Sequence, residues 1–215
     1  MAKDRKREIG NADVWHWKIV DTDLAPSKDD PEDNGGRTIA VAVWKMMNAG
    51  VHNDTLKQKR MDDSPGTAKE EALSEHASIP VETEPAANNS LGPRYPSFLP
   101  PELRLDALAS LFDPLDAARD EIMGTKKPFF MLSSLATHPD YQGRGAGKLL
   151  LDWGVKKADV EGLVTYLDAT QIAKPIYEKR GFEVRREIDW DRKAWGGEGV
   201  DVHYCMVRRP ATGEA

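Results

Sequence analysis

The sequence predicts an α/β fold organised around a turn that can hold an anion. Three observations carry this. Two β-rich segments near the start are joined by a turn-rich loop. A strand, a glycine-laden turn and a helix follow one another at 129–162. Two further strands then close the chain after a short helix. With 215 residues the chain is sized for one domain.

The first segment, VWHWKIVDTD, alternates Trp15, Trp17 and Ile19 with His16 and Lys18, the period-2 pattern of a half-buried strand. The second, TIAVAVWKMM at 38–47, is almost wholly apolar and reads as a more deeply buried strand. The loop between them is dense in Asp, Pro and Gly, so an antiparallel pair with an enlarged hairpin loop is expected. Residues 52–97 contain 12 apolar residues in 46, five of them Ala. That is too little to offset the entropy of ordering, and a mobile insertion is expected there. The spacing of Leu103, Leu105, Leu108, Leu111, Phe112 and Leu115 then predicts a helix starting near Pro101, bent or interrupted near Pro114 and stopped at Gly124.

FFMLSSLAT reads as a buried strand and HPDYQGRGAG as a tight turn. KLLLDWGVKKADVEG reads as a helix burying Leu149, Leu150, Trp153 and Ala158, with Gly162 at its stop. LVTYLDAT is the next strand, IAKPIYEKRG a short helix ended by Gly181, and FEVRREIDW and VDVHYCMVRR are the closing strands.

Composition narrows the function classes. Thirty Lys and Arg against 36 Asp and Glu give a formal charge of -6, which argues against a nucleic-acid backbone as main partner. The single cysteine, Cys205, rules out an intramolecular disulfide and a cysteine-based zinc cluster. The five histidines show no ligand spacing, so no metal is expected. No apolar run approaches the ~20 residues of a membrane span, and no secretory signal opens the chain. A cytoplasmic, reducing location and no membrane partner are the expectation.

The turn at 137–148 is the chemical centre. Gly143, Gly145 and Gly147 let successive N–H groups converge with no Cβ in the way. The turn empties into a helix N-terminus, whose unpaired amides and dipole favour an anion such as a pyrophosphate. Arg144 and Lys148 add charge. A dinucleotide-type G-x-G-x-x-G fails, because its third glycine falls on Lys148 or on Leu150. A P-loop fails because Gln142 occupies its first glycine and Leu149 follows the lysine.

Gln142, Gly145 and Gly147 do fit the pattern Q-x-x-G-x-G. The segment LSSLATHPDYQGRGAGKLLLDWG, followed by IYEKRGFE, resembles the acetyl-CoA signature of the GNAT superfamily of N-acetyltransferases. The resemblance covers about 14–208, read as one domain, and is strongest over 129–182. The enlarged first loop and the helix before FFMLSSL resemble fungal-type members. The resemblance implies a mixed, mainly antiparallel central sheet with helices on both faces. It also implies direct attack of an amine on acetyl-CoA without a covalent enzyme intermediate. That accords with a chain lacking a G-x-S-x-G elbow. The acceptor would be a small-molecule or peptide amine.

The resemblance carries over residue by residue. The amides of Gln142, Gly143, Arg144, Gly145, Ala146, Gly147 and Lys148 would hold the pyrophosphate. Leu135, Ala136 and Thr137 would pair with the pantetheine arm and polarise the thioester carbonyl. Tyr177 would protonate the departing thiolate, the plain alternative being a helix residue packed on Phe182. Thr170 stands where an asparagine is frequent and would offer its hydroxyl to the cofactor in that residue's place. Some members carry a glutamate base where this chain has Met131. Asp168 and His138 are the substitutes considered, each with an ordinary loop or cap role as the alternative. Members begin with a strand and two helices, for which 13 residues before Val14 are too few, so an N-terminally shortened form is expected. It would leave the Trp15/Trp17 strand as a sheet edge. The competing readings are a non-catalytic CoA-binding or interaction protein and an inactive fragment.

Overall fold

A computed structural model describes residues 11–49 and 103–211. The insertion expected at 52–97 lies outside the described residues. Among the described residues, six strands and three α-helices follow in the order β1 (Val14–Asp21), β2 (Arg37–Met47), α1 (Leu105–Met123), β3 (Phe129–Thr137), α2 (Ala146–Glu161), β4 (Thr165–Thr170), α3 (Lys174–Glu178), β5 (Glu183–Asp191) and β6 (Val200–Arg208). They form one sheet in the order β1-β2-β3-β4-β6-β5. Of its pairings, β3 with β4 is parallel and the other four are antiparallel. The mixed, mainly antiparallel α/β architecture is the one expected.

Alternation along the strands divides the core into two layers. Phe130, Leu132, Leu167, Ala169, Tyr204 and Met206 face α2, where Leu150, Leu151 and Ala158 cover them. Phe129, Tyr166, Cys205 and Val207 face the other way, under Leu115 and Ala118 of α1. The helices therefore lie on opposite faces. Trp15 and Trp17 lean on Trp153 of α2, with ring centres 6.4 and 4.8 Å apart. Among the described residues β1 pairs only with β2, as an edge.

Two expectations need correction. The helix before β3 begins at Leu105 and is not interrupted at Pro114, which lies within it. In α2 the buried leucines are Leu150 and Leu151, whereas Leu149 is 61% exposed. Positions 149 and 151 are about 200° apart on a helix, so a run of three leucines does not fix its own phase. The inward stripe is set by Ala146, Leu150, Gly154 and Ala158, one turn apart. Among the described residues no helix is long and apolar enough to cross a membrane.

Candidate active site

β3 and β4 run side by side for only three pairs, Phe130 with Thr165, Met131 with Tyr166 and Leu132 with Leu167. Beyond Leu132 they part, although β3 continues to Thr137 and β4 to Thr170. The cause is local. The register of β3 on β2 shifts between Val43/Ser134 and Trp44/Leu132, which leaves Ser133 as an extra residue. Such a bulge bends its strand and reverses which edge its peptide groups present.

Two hydrogen bonds show the reversal. The Phe130 N–H donates to Val164 O at 2.9 Å, toward β4, while the His138 N–H donates to Ile39 O at 2.9 Å, toward β2. Residues eight apart in an uninterrupted strand would face the same edge. Leu135 and Thr137 therefore turn their peptide groups into the fork between β3 and β4. Ala136, opposite Val41, turns its own to β2. Of these three residues, two turn their peptide groups into the fork and one turns them to β2.

The turn closes the mouth of this fork. Pro139–Tyr141 form a single 3₁₀ turn capped by His138, whose Nδ1 accepts the Asp140 N–H at 3.3 Å. His138 thus has the cap role. Gln142 donates from Nε2 to Thr137 O at 3.4 Å. Gly143 and Gly145 have φ of +77° and +87°, which a side chain rarely adopts. Residues of alternating hand make successive N–H groups converge into an anion-binding concavity. Gly147 serves a different need: a Cβ there would lie 3.1 Å from Thr137 Oγ1, so its absence lets α2 start against the end of β3.

Helix α2 begins at Ala146 with Gly145 as N-cap and no side-chain cap. The first N–H of this end with a partner is that of Leu149, which donates to Gly145 O at 3.0 Å. The amides of Gly143 through Lys148 have no acceptor among the described residues. These sequential amides and the dipole of a 16-residue helix converge at one point. Lys148 is exposed. Arg144 is drawn back over Tyr141, 5.1 Å from the ring centre, with Nη1 4.0 Å from Asp21 Oδ2. The Tyr141 hydroxyl in turn accepts from Arg37 Nη1 at 3.0 Å.

Tyr177 stands on α3, which follows β4 directly, at the same end of the sheet as the turn. Its ring is 7% exposed and packs edge-on against Phe182, centres 5.9 Å apart. Its hydroxyl has no hydrogen-bond partner among the described residues, and it is not among the polar atoms that are fully enclosed without one. Burial raises the phenol above its usual pKa, so it stays protonated. Arg180 fixes the end of α3 to α2 through Nε and Asp152 Oδ1 at 2.6 Å. Thr170 is exposed and, by strand alternation, lies on the α1 face, apart from the turn.

Sequence reasoning missed three features. The bulge at Ser133 leaves no mark in an apolar strand. Gly154 reads as an ordinary helical glycine. Tyr166, Cys205 and Asp168 meet across β4 and β6, with the Tyr166 hydroxyl donating to Asp168 Oδ1 at 2.6 Å. The alternation of LVTYLDAT is the available signal for the last.

Comparison with solved structures gives low-scoring likenesses. An agmatine N-acetyltransferase, a mutant in its apo form, is 11% identical, covers 81% of this chain and 70% of its own, and has a TM-score of 0.46. Arabidopsis thaliana NAA60 in complex with acetyl-CoA is 13% identical over 97% of this chain and 83% of its own, TM-score 0.46. The ribosomal-protein-S18-alanine N-acetyltransferase of Escherichia coli is 23% identical over 40% of this chain and 57% of its own, TM-score 0.33. The stretch that runs from the second half of α1 through the bulge, the fork, the turn and Tyr177 into β5, residues 116–184, matches the family model described as an acetyltransferase (GNAT) domain.

Proposed function

We propose that this protein is an N-acetyltransferase that moves an acetyl group from acetyl-CoA directly to an amine, using one domain that spans 14–208. The observation that carries the reading is the junction of the unpaired amides of Gly143–Lys148 with the mouth of the β3/β4 fork. A ligand suited to both has an anionic pyrophosphate continuous with an extended, amide-bearing arm, and acetyl-CoA is such a molecule. The match of 116–184 to the acetyltransferase domain supports the same reading.

In this reading the pyrophosphate lies on the amides of Gly143 through Lys148, without the expected Gln142 N–H, which donates to Pro139 O at 3.3 Å, and the arm pairs with the exposed peptide groups of Leu135 and Thr137. Tyr177, held protonated by burial, donates to the departing sulfur. The acceptor is a small-molecule or peptide amine. The narrower placement among fungal-type members rests on the 22–36 loop and on α1.

Calorimetric titration of acetyl-CoA, with CoA and a nicotinamide dinucleotide alongside, tests the binding half. Micromolar affinity, about 8 kcal/mol, confined to the CoA compounds is expected. Thiol release from acetyl-CoA across a panel of amines tests the chemical half. Binding without turnover by any amine would leave a CoA-binding protein and remove the catalytic reading.

A further inference from the structure

Asp168 is the first residue of β4 beyond its last pair with β3, so it stands where the fork opens. Its counterpart on β3 is the bulged, exposed Ser133. The side chain shares a face with Tyr166, whose hydroxyl holds Oδ1 at 2.6 Å. This is the α1 face, opposite the one that α2 and Thr137 cover. Asp168 is partly buried, and neither of its oxygens is both enclosed and unpartnered.

A thioester in the fork has two faces open to attack. On the α2 side stand the helix and Thr137. On the α1 side stand Ser133, Ser134 and Asp168, and β3 brings no titratable group. We infer that Asp168 is the general base for the acceptor amine, which it receives as an ammonium on the α1 face of the fork. The inference rests on the acetyltransferase reading above.

The step balances as follows. The Asp168 carboxylate takes one proton from the ammonium, freeing the nitrogen lone pair. The nitrogen then forms the C–N bond to the thioester carbonyl. The C–S bond breaks, and the thiolate takes a proton from Tyr177. The second nitrogen proton restores Tyr177 through water, and Asp168 releases its own to solvent. The net products are amide, free CoA and one proton.

The surroundings suit the task. Burial pushes the Asp168 carboxyl above the usual carboxylate range, opposed by hydrogen bonds from Tyr166 and Cys205 and by the Arg119 guanidinium of α1, while Asp116 raises it further. Cys205 and, by alternation, His203 face it from β6, and Arg186 lies beyond them on β5. Tyr166 and Cys205 are held protonated, both first by burial, the thiol pushed up to about 11.

The test compares wild type, Asp168→Asn and Tyr166→Phe, each checked for fold by circular dichroism. For each, acetyl-CoA affinity and the pH profile of kcat/KM are measured with the best amine in the panel whose pKa lies well above the assay range, so that it arrives as an ammonium throughout. Asp168→Asn is expected to leave acetyl-CoA affinity within twofold, lower kcat about 100-fold and abolish the acid limb. Tyr166→Phe removes a donor that favours the carboxylate, so the acid limb should move to higher pH, which a purely structural role would not produce. A well-folded Asp168→Asn enzyme with kcat within threefold of wild type, or an acid limb unmoved in both variants, overturns the assignment while the acetyltransferase reading stands. Wild type that binds acetyl-CoA yet turns over no amine overturns both.

Discussion

Gly154 of α2 lies flat on the indole of Trp44. A methyl group on its Cα would sit 2.1 Å from both Cε2 and Cζ2 of that ring. Trp44 has nowhere to go: it is fully buried, stacks on Phe130 at 4.9 Å with planes 9° apart, and donates from Nε1 to Leu150 O at 3.3 Å. The contact seats α2 on β2 and β3, and so sets the height of the turn over the fork.

Gly154→Ala should therefore destabilise the protein even though alanine is the better helix former. The propensity gain is about 1 kcal/mol, and forcing a carbon into a packed core costs about 1–3 kcal/mol or more. With an overlap this deep, the upper end applies, and a net loss of about 2 kcal/mol is expected. Urea denaturation would show it as a lower midpoint at an unchanged slope. An unchanged or raised midpoint would mean that α2 stands further from the sheet.

At Gly145 the constraint is backbone conformation, since nothing lies within 4 Å of a Cβ built there. Gly145→Ala should cost about 1–2 kcal/mol for the left-handed φ and weaken acetyl-CoA modestly. Gly145→Asp adds a carboxylate among amides that face an anion, and its affinity should fall by a further factor of about 10 or more. Calorimetry on both variants separates strain from charge. Equal affinities would place the phosphates away from the turn.

The ends of α2, α3 and β6 are tied by one carboxylate. Asp159 accepts from both Arg208 Nη atoms at 2.7 and 2.8 Å and from the Ala211 N–H at 2.8 Å, while Arg208 Nε donates to Arg180 O at 2.9 Å. The Arg208 hydrogen bonds, against a smaller desolvation, hold Asp159 below its ordinary pKa of 3.8. A carboxylate lowered by folding contributes stability that is fully present above about 3.8 and is lost as pH falls through the folded value. Asp159→Asn should cost about 1 kcal/mol at neutral pH, discounted for its partial exposure, and flatten the fall in stability below about pH 4. Parallel thermal melts of wild type and variant from about pH 3 to neutrality would check it. Curves that stay a constant distance apart would show that Asp159 titrates alike in both states.

What is legible in the sequence follows from where its signals are local. Strand and helix limits can be read because Gly124, Gly162 and Gly181 punctuate them and because Trp15, Trp17 and Ile19 alternate. The turn is legible because three glycines in five residues have a backbone meaning. Leu149 misleads because three adjacent leucines carry no phase, and the phase comes from Gly154, whose role depends on Trp44, far away in the chain. The same holds for Ser133, whose bulge is a relation between β2 and β3, and for the setting of Asp168: the sequence offers that residue only beside His138 as a substitute base, and it is singled out when β3 departs from it and Tyr166 and Cys205 close around it. Pairing between distant strands is invisible to local pattern.

Tyr177 offers the cleanest separation of packing from chemistry. Its ring is held by Phe182 at 5.9 Å, and phenylalanine would preserve that contact, while the hydroxyl has no protein partner to lose among the described residues. Tyr177→Phe should therefore keep the thermal midpoint within a degree or two and leave acetyl-CoA affinity nearly unchanged. The rate is another matter: loss of a positioned acid lowers kcat by about 100-fold or more. Because burial lifts the phenol above its ordinary pKa of 10.0, the acid form persists through neutral and mildly alkaline pH, and activity should be lost only as pH rises past that value. A Tyr177→Phe enzyme that keeps wild-type kcat would reduce Tyr177 to a core residue and move the proton donor for the thiolate to water.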